Sequence, residues 1–172
     1  MNSAPPRTWL VLGDKRGDNG QVEAVAAQLP WPYETRLVQM KPEWVYGKPR
    51  VRPSLDHLDL AKSDPLEPPW PDLIITVGRR PSSVALWIQE QSGGCARIVQ
   101  MTKPSTRIGR FDLVVTSAET LLPPLPNIIE TTLPLMRVQQ DPQELDQWRN
   151  TFADLPRPLI GFLIGGPTRP YI

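Results

Sequence analysis

Residues 13–21, Gly-Asp-Lys-Arg-Gly-Asp-Asn-Gly-Gln, carry the densest set of side chains in the sequence that could do chemistry. Two carboxylates, Asp14 and Asp18, can exchange protons with a bound substrate. Backbone N–H groups at a glycine-containing turn before a helix favour anions. An apolar run ends at Leu12, and after the stretch apolar residues recur with helical spacing at Val22, Val25, Ala26 and Leu29. This order predicts the ligand-binding loop between the first strand and the first helix of a βαβ unit.

The candidate ligand-binding residues of this stretch are Gly13, Lys15, Arg16, Gly17, Asn19 and Gln21, with Asp14 and Asp18 as candidate catalytic residues. The alternative is that the glycines only permit a turn, that Asp18 or Asn19 only caps a helix beginning near Asn19, and that the charges are solvated. The glycine spacing matches neither G-x-G-x-x-G nor the P-loop. A standard dinucleotide fingerprint is therefore not indicated.

A second polar cluster follows the continuous apolar run at 73–77, which is typical of a buried parallel strand. The run ends in Gly78-Arg79-Arg80, and Pro81 can occupy the first position of a helix extending to about Ser92. The two arginines can bind a phosphate or carboxylate; alternatively, they are exposed and pair with carboxylates of the chain. Gln100, at the end of the next predicted strand, is a further candidate ligand contact.

The alternation of these elements predicts an α/β fold, a Rossmann-like, mostly parallel sheet with helices on both faces. Further strands are expected at 33–40, 97–101, 111–116 and 127–130, and another helix follows Asp141. A fresh apolar run at 158–164 leads into a second glycine turn, Gly165-Gly166-Pro167-Thr168. We therefore expect a Rossmann-like domain over residues 1–157, and the first strand and glycine turn of a second domain over 158–172.

Composition narrows the function classes. A formal net charge of +1 over 172 residues gives no global field for nucleic acid. His57 is the only histidine and Cys95 the only cysteine, so no metal site is predicted, and a Cys95–His57 nucleophile pair is disfavoured because Cys95 precedes a strand. The chain lacks a leader-like apolar segment and a run long enough to span a bilayer, so we expect a cytoplasmic protein.

A basic segment at 41–52 contains four cations against one carboxylate, a local charge of +3, with Trp44 and Tyr46 between them. Basic residues interleaved with aromatics can dock on an anionic membrane surface. The favoured alternative is an ordered surface excursion whose Trp44 packs on the domain. The following stretch, 54–69, contains four carboxylates that can partly neutralise it.

Four motifs together resemble one family: the sequence at 13–21, Val-Gly-Arg-Arg at 77–80, Arg-Phe-Asp-Leu-Val-Val-Thr at 110–116 and Ile-Gly-Gly-Pro-Thr at 164–168. The chain is similar over nearly all of its length to the mitochondrial fission (elongated mitochondria) family of plants. Bacterial relatives of that family are often labelled nucleoside-diphosphate-sugar epimerases. The resemblance implies a glycosyltransferase-B-like fold in which two Rossmann-like halves face a cleft, with this chain forming the N-terminal half.

The resemblance also implies a function: glycosyl transfer or sugar epimerisation, with a nucleoside-diphosphate sugar as substrate and no tightly bound cofactor. The donor diphosphate would lie near Gly165, Gly166 and Thr168. The unknown acceptor would lie along 14–21 and Arg79-Arg80, with Asp14 or Asp18 as general base. A non-catalytic adaptor that recruits partners to membranes is the alternative. If most of the second domain is missing, an open edge at 159–164 is expected to favour homo-oligomers.

Overall fold

The computed structural model describes residues 4–44, 50–136 and 141–162. The strands are β1 (Thr8–Leu12), β2 (Tyr33–Leu37), β3 (Leu73–Val77), β4 (Arg97–Met101), β5 (Leu113–Ser117) and β6 (Ile128–Thr131). The α-helices are α1 (Arg16–Ala26), α2 (Arg79–Gln91) and α3 (Pro142–Thr151). Short 3₁₀ turns occupy Pro42–Trp44, Ile108–Arg110 and Ala118–Thr120.

The six strands of the described residues form one sheet in the order β2-β1-β3-β4-β5-β6, and every neighbouring pair is parallel. This is the doubly wound α/β arrangement in which the strand order reverses between β1 and β3. The predicted Rossmann-like fold class is confirmed. The reversal places the carboxyl ends of β1 and β3 side by side, while α1 and α2 go to opposite faces of the sheet, so a crevice forms there.

The two faces of the sheet are covered by different helices. Val22 and Ala26 of α1 pack with Leu10, Ile75 and neighbouring residues on one face. Val84, Ala85 and Ile88 of α2 pack with Trp9, Ile74 and Ile98 on the other face. The central strands are buried on both sides, since all five residues of β1 are buried, and this explains their unbroken apolar runs.

The sequence prediction placed the starts of both N-terminal helices too late. The α1 helix begins at Arg16, not near Asn19, and its N-cap residue is Lys15, whose side chain makes no capping bond. The α2 helix begins at Arg79, so Pro81 is the third helical residue and not the first. Proline is tolerated there because the first N–H groups of a helix have no intrahelical partner.

The second strand is shorter than the predicted 33–40, because Met40 instead forms an isolated antiparallel bridge with Leu58. That bridge ties Leu58 to Met40, the residues at the two ends of the 41–58 excursion. Trp44 packs on the core, and Arg52 pairs with Asp56 at 3.1 Å. The surface-excursion interpretation therefore holds for Trp44, whereas Tyr46 and Lys48 lie outside the described residues.

The chain divides into two compact units, residues 1–137 and 138–172. In the second unit Asp141 caps α3 by accepting a bond from the Gln143 N–H at 2.9 Å, as the sequence predicts. The Trp148 and Phe152 rings stack at 5.6 Å. Residues 158–162 form no strand, and 163–172 lie outside the described residues, so the second-domain strand and its glycine turn stay predictions.

Candidate functional site

The loops that follow β1 and β3 meet at the reversal of strand order, where open α/β sheets bind their ligands. They enclose a small cleft of about 30 Å³. Its lining comes from the start of α1 and the start of α2 and comprises Gly13, Asp14, Lys15, Asp18, Asn19, Val77, Gly78, Arg79, Arg80 and Pro81. Three cations and two carboxylates thus share one concavity, with helix N-termini on both sides.

Arg80 is the anchor of the cleft, and its side chain is only 12% exposed. Its Nη2 lies 3.2 Å from Oδ1 of Asp14, and its Nη1 donates to the Trp44 carbonyl oxygen at 2.9 Å. Its own carbonyl oxygen accepts a bond from Nε2 of His57 at 3.0 Å. Arg80 therefore ties the β1–α1 loop, the 3₁₀ turn at 42–44 and the 50–58 segment together, which leaves it little freedom to follow a ligand.

Arg79, the neighbouring residue, has a different environment. Its side chain is half-buried at the cleft and makes no hydrogen bond or ion pair with another described residue. A guanidinium with free donors at a helix N-terminus is well suited to a phosphate or carboxylate. Of the two arginines, Arg79 is therefore the candidate ligand contact, and Arg80 holds its surroundings in place.

Asp18 is the candidate proton-transfer group. Its carboxyl is half-buried, and Oδ2 lies 3.4 Å from the position where a Cβ on Gly78 would stand. Desolvation by burial is the main effect and raises the pKa of Asp18 above 3.8. The positive charges of Arg80 and Lys15 lower this pKa, and the negative charge of Asp14 raises it slightly. A carboxyl whose pKa is displaced towards neutrality in a cleft is a functional-site candidate.

Two glycines permit this close packing. Gly78 has φ +75° and ψ 173°, a backbone region that is essentially restricted to glycine. A Cβ on Gly13 would stand 3.1 Å from Cγ of Pro81, so the β1–α1 loop can approach α2 only without a side chain there. The amide of Asn19 closes the loop from within, since its Nδ2 donates to the Gly13 carbonyl oxygen at 2.9 Å.

The sequence of the chain matches one known protein family. The family described as mitochondrial fission ELM1 matches residues 16–172, more than nine-tenths of the sequence. The chain belongs to the mitochondrial fission ELM1 family. No curated protein and no solved structure matches it significantly. The ELM1 match includes Asp18, Gly78, Arg79 and Arg80, while residues 13–15 of the cleft precede it.

In this ELM1 family member, several residues proposed from the sequence do not reach the cleft. Arg16, Gly17 and Gln21 lie in α1 and are absent from its described lining. Gln100 is completely buried: its Nε2 donates to the Met101 carbonyl oxygen at 2.7 Å, and its Oε1 accepts from the Ser82 hydroxyl at 2.6 Å. Gln100 therefore stabilises the first part of α2 through its bond with Ser82. Gly165, Gly166 and Thr168 lie outside the described residues.

His57 is the functional-region residue that the sequence did not reveal. It is 2% exposed, and burial is the main cause that lowers its pKa below 6.5, so the neutral ring donates from Nε2 to Arg80. Cys95 is exposed and lies beyond the carboxyl end of α2, whereas His57 contacts its amino end. The two do not form a nucleophile pair.

Two further properties hold for the described part of the chain. No group of three or more His, Cys, Asp or Glu side chains is arranged to hold a metal ion. None of its helices is long and apolar enough to cross a membrane.

Proposed function

We propose that this ELM1 family member supplies the acceptor side of a nucleotide-sugar-dependent enzyme, with the acceptor bound in the cleft at the ends of β1 and β3. The observation that carries the proposal is the half-buried Asp18 carboxyl, with its raised pKa, beside a helix N-terminus that bears Arg79. Such a pairing of a proton acceptor with an anion site suits the attack of a sugar-type hydroxyl on an activated donor.

Asp18 acts as the general base in this proposal. Its carboxylate takes the proton of the acceptor hydroxyl while that oxygen forms a bond to the anomeric carbon of the donor, and the nucleoside diphosphate leaves with the electron pair of the broken C–O bond. The raised pKa favours this role, because a base is most effective when its pKa lies close to the working pH. Asp14 is engaged with Arg80 at 3.2 Å and is assigned a positioning role.

Glycosyl transfer is preferred to epimerisation. Many sugar epimerisations proceed by hydride transfer through a bound dinucleotide, and the glycines at 13, 17 and 20 do not have the dinucleotide-binding spacing. Transfer requires only a base, an acceptor pocket and a donor, and the donor belongs to a second Rossmann-like half in a glycosyltransferase-B-like arrangement. The glycine turn at Gly165-Gly166 and Thr168 is proposed as the start of that donor site.

The second candidate function is a non-catalytic adaptor in membrane fission. The description of the matched family supports it, and so do the exposed basic side chains of Arg50 and Arg52, which suit an anionic lipid surface. In this case the cleft would be a partner-binding or structural feature, and Asp18 would have no role in turnover.

Calorimetric titration of the natural full-length protein with UDP-, GDP- and ADP-linked sugars tests the proposal, followed by a transfer assay with the sugar that binds. We expect Asp18→Asn to retain donor binding and to lower kcat by about 10²–10⁴-fold, the range for loss of a general base. Arg79→Gln is expected to raise the KM for the acceptor. Glu90→Gln, an exposed carboxyl at the far end of α2, is the matched control and should behave as wild type.

Two results would contradict the enzyme proposal: absence of binding to all of the nucleotide sugars, or full activity of Asp18→Asn. Absence of binding combined with association of the protein with vesicles containing anionic lipid would favour the adaptor.

A further inference from the structure

A second and larger cavity is lined by the 50–57 segment, Trp44 and the α2 residue Ser83. Its volume is about 290 Å³, and its walls include Arg50, Ser54, His57 and Ser83. The cavity and the cleft have no lining residue in common among those described. Arg80, which lines the cleft, contacts the cavity wall: its carbonyl oxygen accepts a bond from Nε2 of His57.

The Ser83 hydroxyl is a buried polar group without a described partner. The residue is 1% exposed, and Oγ makes no hydrogen bond to any other described atom. By contrast, its neighbour Ser82 bonds both the Gly78 carbonyl oxygen and Gln100. Buried hydroxyls in native structures nearly always have a partner, so an unsatisfied one in a cavity wall indicates a group supplied from outside the chain.

The charges around the cavity define what that group can be. Arg52 is paired with Asp56 at 3.1 Å, while Arg50 makes no ion pair with a described residue. His57 is neutral because burial lowers its pKa and its Nε2–H is engaged by Arg80. The described lining residues thus have a net charge of +1, made of two arginines and one aspartate, and the cavity favours an anion.

We propose that this cavity binds a small phosphorylated ligand, with the phosphate held by the Ser83 hydroxyl and the Arg50 guanidinium and the remainder of the ligand packed against Trp44. A phosphate is preferred to a carboxylate because its three terminal oxygens can accept a bidentate pair of bonds from the Arg50 guanidinium and a further bond from the Ser83 hydroxyl. The cavity volume suits a phosphate with a glycerol- or sugar-sized substituent. The proposal is independent of the assignment of Asp18 and Arg79.

Binding of inorganic phosphate and of glycerol 3-phosphate to the full chain, measured by calorimetry and by NMR titration, tests the proposal. We expect Ser83→Ala and Arg50→Gln each to weaken binding about tenfold, as for loss of one charge-assisted hydrogen bond. Arg107→Gln, which removes an exposed arginine outside the cavity, is the matched control and should bind as wild type. Ser83→Ala is expected to fold normally, because it removes a polar group that has no partner in the ligand-free chain.

A second arm distinguishes a free metabolite from a lipid headgroup. Phosphatidylcholine vesicles with and without phosphatidic acid are sedimented with wild type and with each variant. Vesicle binding that Ser83→Ala and Arg50→Gln abolish, but Arg107→Gln does not, supports the site and assigns its phosphate to a lipid. Absence of binding in both arms, or binding that Ser83→Ala and Arg50→Gln leave unchanged, overturns the proposal. Arg79→Gln separates the two proposals. It should weaken binding of the acceptor in the cleft and leave phosphate binding in the cavity intact.

Discussion

Replacing Arg80 with methionine tests the distinction between an arginine that holds the cleft together and one that binds a ligand. Methionine keeps most of the aliphatic length of Arg80 but removes the guanidinium. The Trp44 carbonyl oxygen then loses a charge-assisted bond of 2.9 Å, worth about 1.5–3 kcal/mol. The Asp14 pair adds about 0–1 kcal/mol, because the Asp14 side chain is 31% exposed and can be solvated after the change.

The expected total is a loss of about 1.5–4 kcal/mol in the free energy of unfolding. Urea titration followed by tryptophan fluorescence measures it, with the six tryptophans as reporters. Arg79→Met is the control at the adjacent position and should change stability by no more than about 0.5 kcal/mol, since Arg79 has no described partner.

The reasoning is refuted if Arg80→Met is as stable as wild type, or if Arg79→Met is equally destabilised. A second readout is electrostatic. The positive charge of Arg80 lowers the pKa of Asp18, so Arg80→Met should raise that pKa further and move any Asp18-dependent pH profile to higher pH.

Three further predictions concern Asp18, His57 and Gly78. Because the pKa of Asp18 is raised above 3.8, the folded chain binds the Asp18 proton more tightly than the unfolded chain does, and stability should fall as pH rises through the raised pKa. Asp18→Asn should remove this fall, which urea titrations between pH 4 and 7 would measure. The pKa of His57 is lowered below 6.5, so the wild-type protein should lose stability as pH falls below 6.5. His57→Gln keeps an N–H group that can donate to the Arg80 carbonyl oxygen, and it should lose less stability over the same pH range. Gly78→Ala should cost about 1–3 kcal/mol in thermal or urea unfolding, because φ +75° with ψ 173° is strained for alanine; an unchanged midpoint would contradict the assigned backbone strain.

The strands were the most predictable part of the fold. The β3 and β4 strands match the predicted 73–77 and 97–101 because each is a short run bounded by turn residues and dominated by buried side chains. The helix starts were less predictable. Asp18 and Asn19 are residue types that favour N-caps, but the helix begins before them, and Asn19 bonds to Gly13 instead. Residue type alone does not distinguish a cap from a loop-closing amide.

The candidate cleft was predictable where it depends on topology. Loops after parallel strands share one edge of the sheet, so Asp14, Asp18 and Arg79 could be expected to meet before any coordinates were known. Gln100 was misplaced because a residue at a strand end can point to the edge or to the layer beneath, and only the contact with Ser82 decides between them. The contact of His57 with the site was not predicted, because its partner is a backbone carbonyl oxygen and every residue type has one.

The position of β3 between β1 and β4 has a consequence for biosynthesis. As the chain leaves the ribosome, β1, α1 and β2 can assemble first, but β1 pairs on its other side with β3, with Thr8 opposite Leu73. Until β3 itself has been translated, after the intervening residues 38–72, one edge of a strand whose five residues are all buried in the folded protein stays open. Such an edge pairs readily with other chains. The nascent β1–α1–β2 segment is therefore expected to be prone to such pairing until β3 has been made.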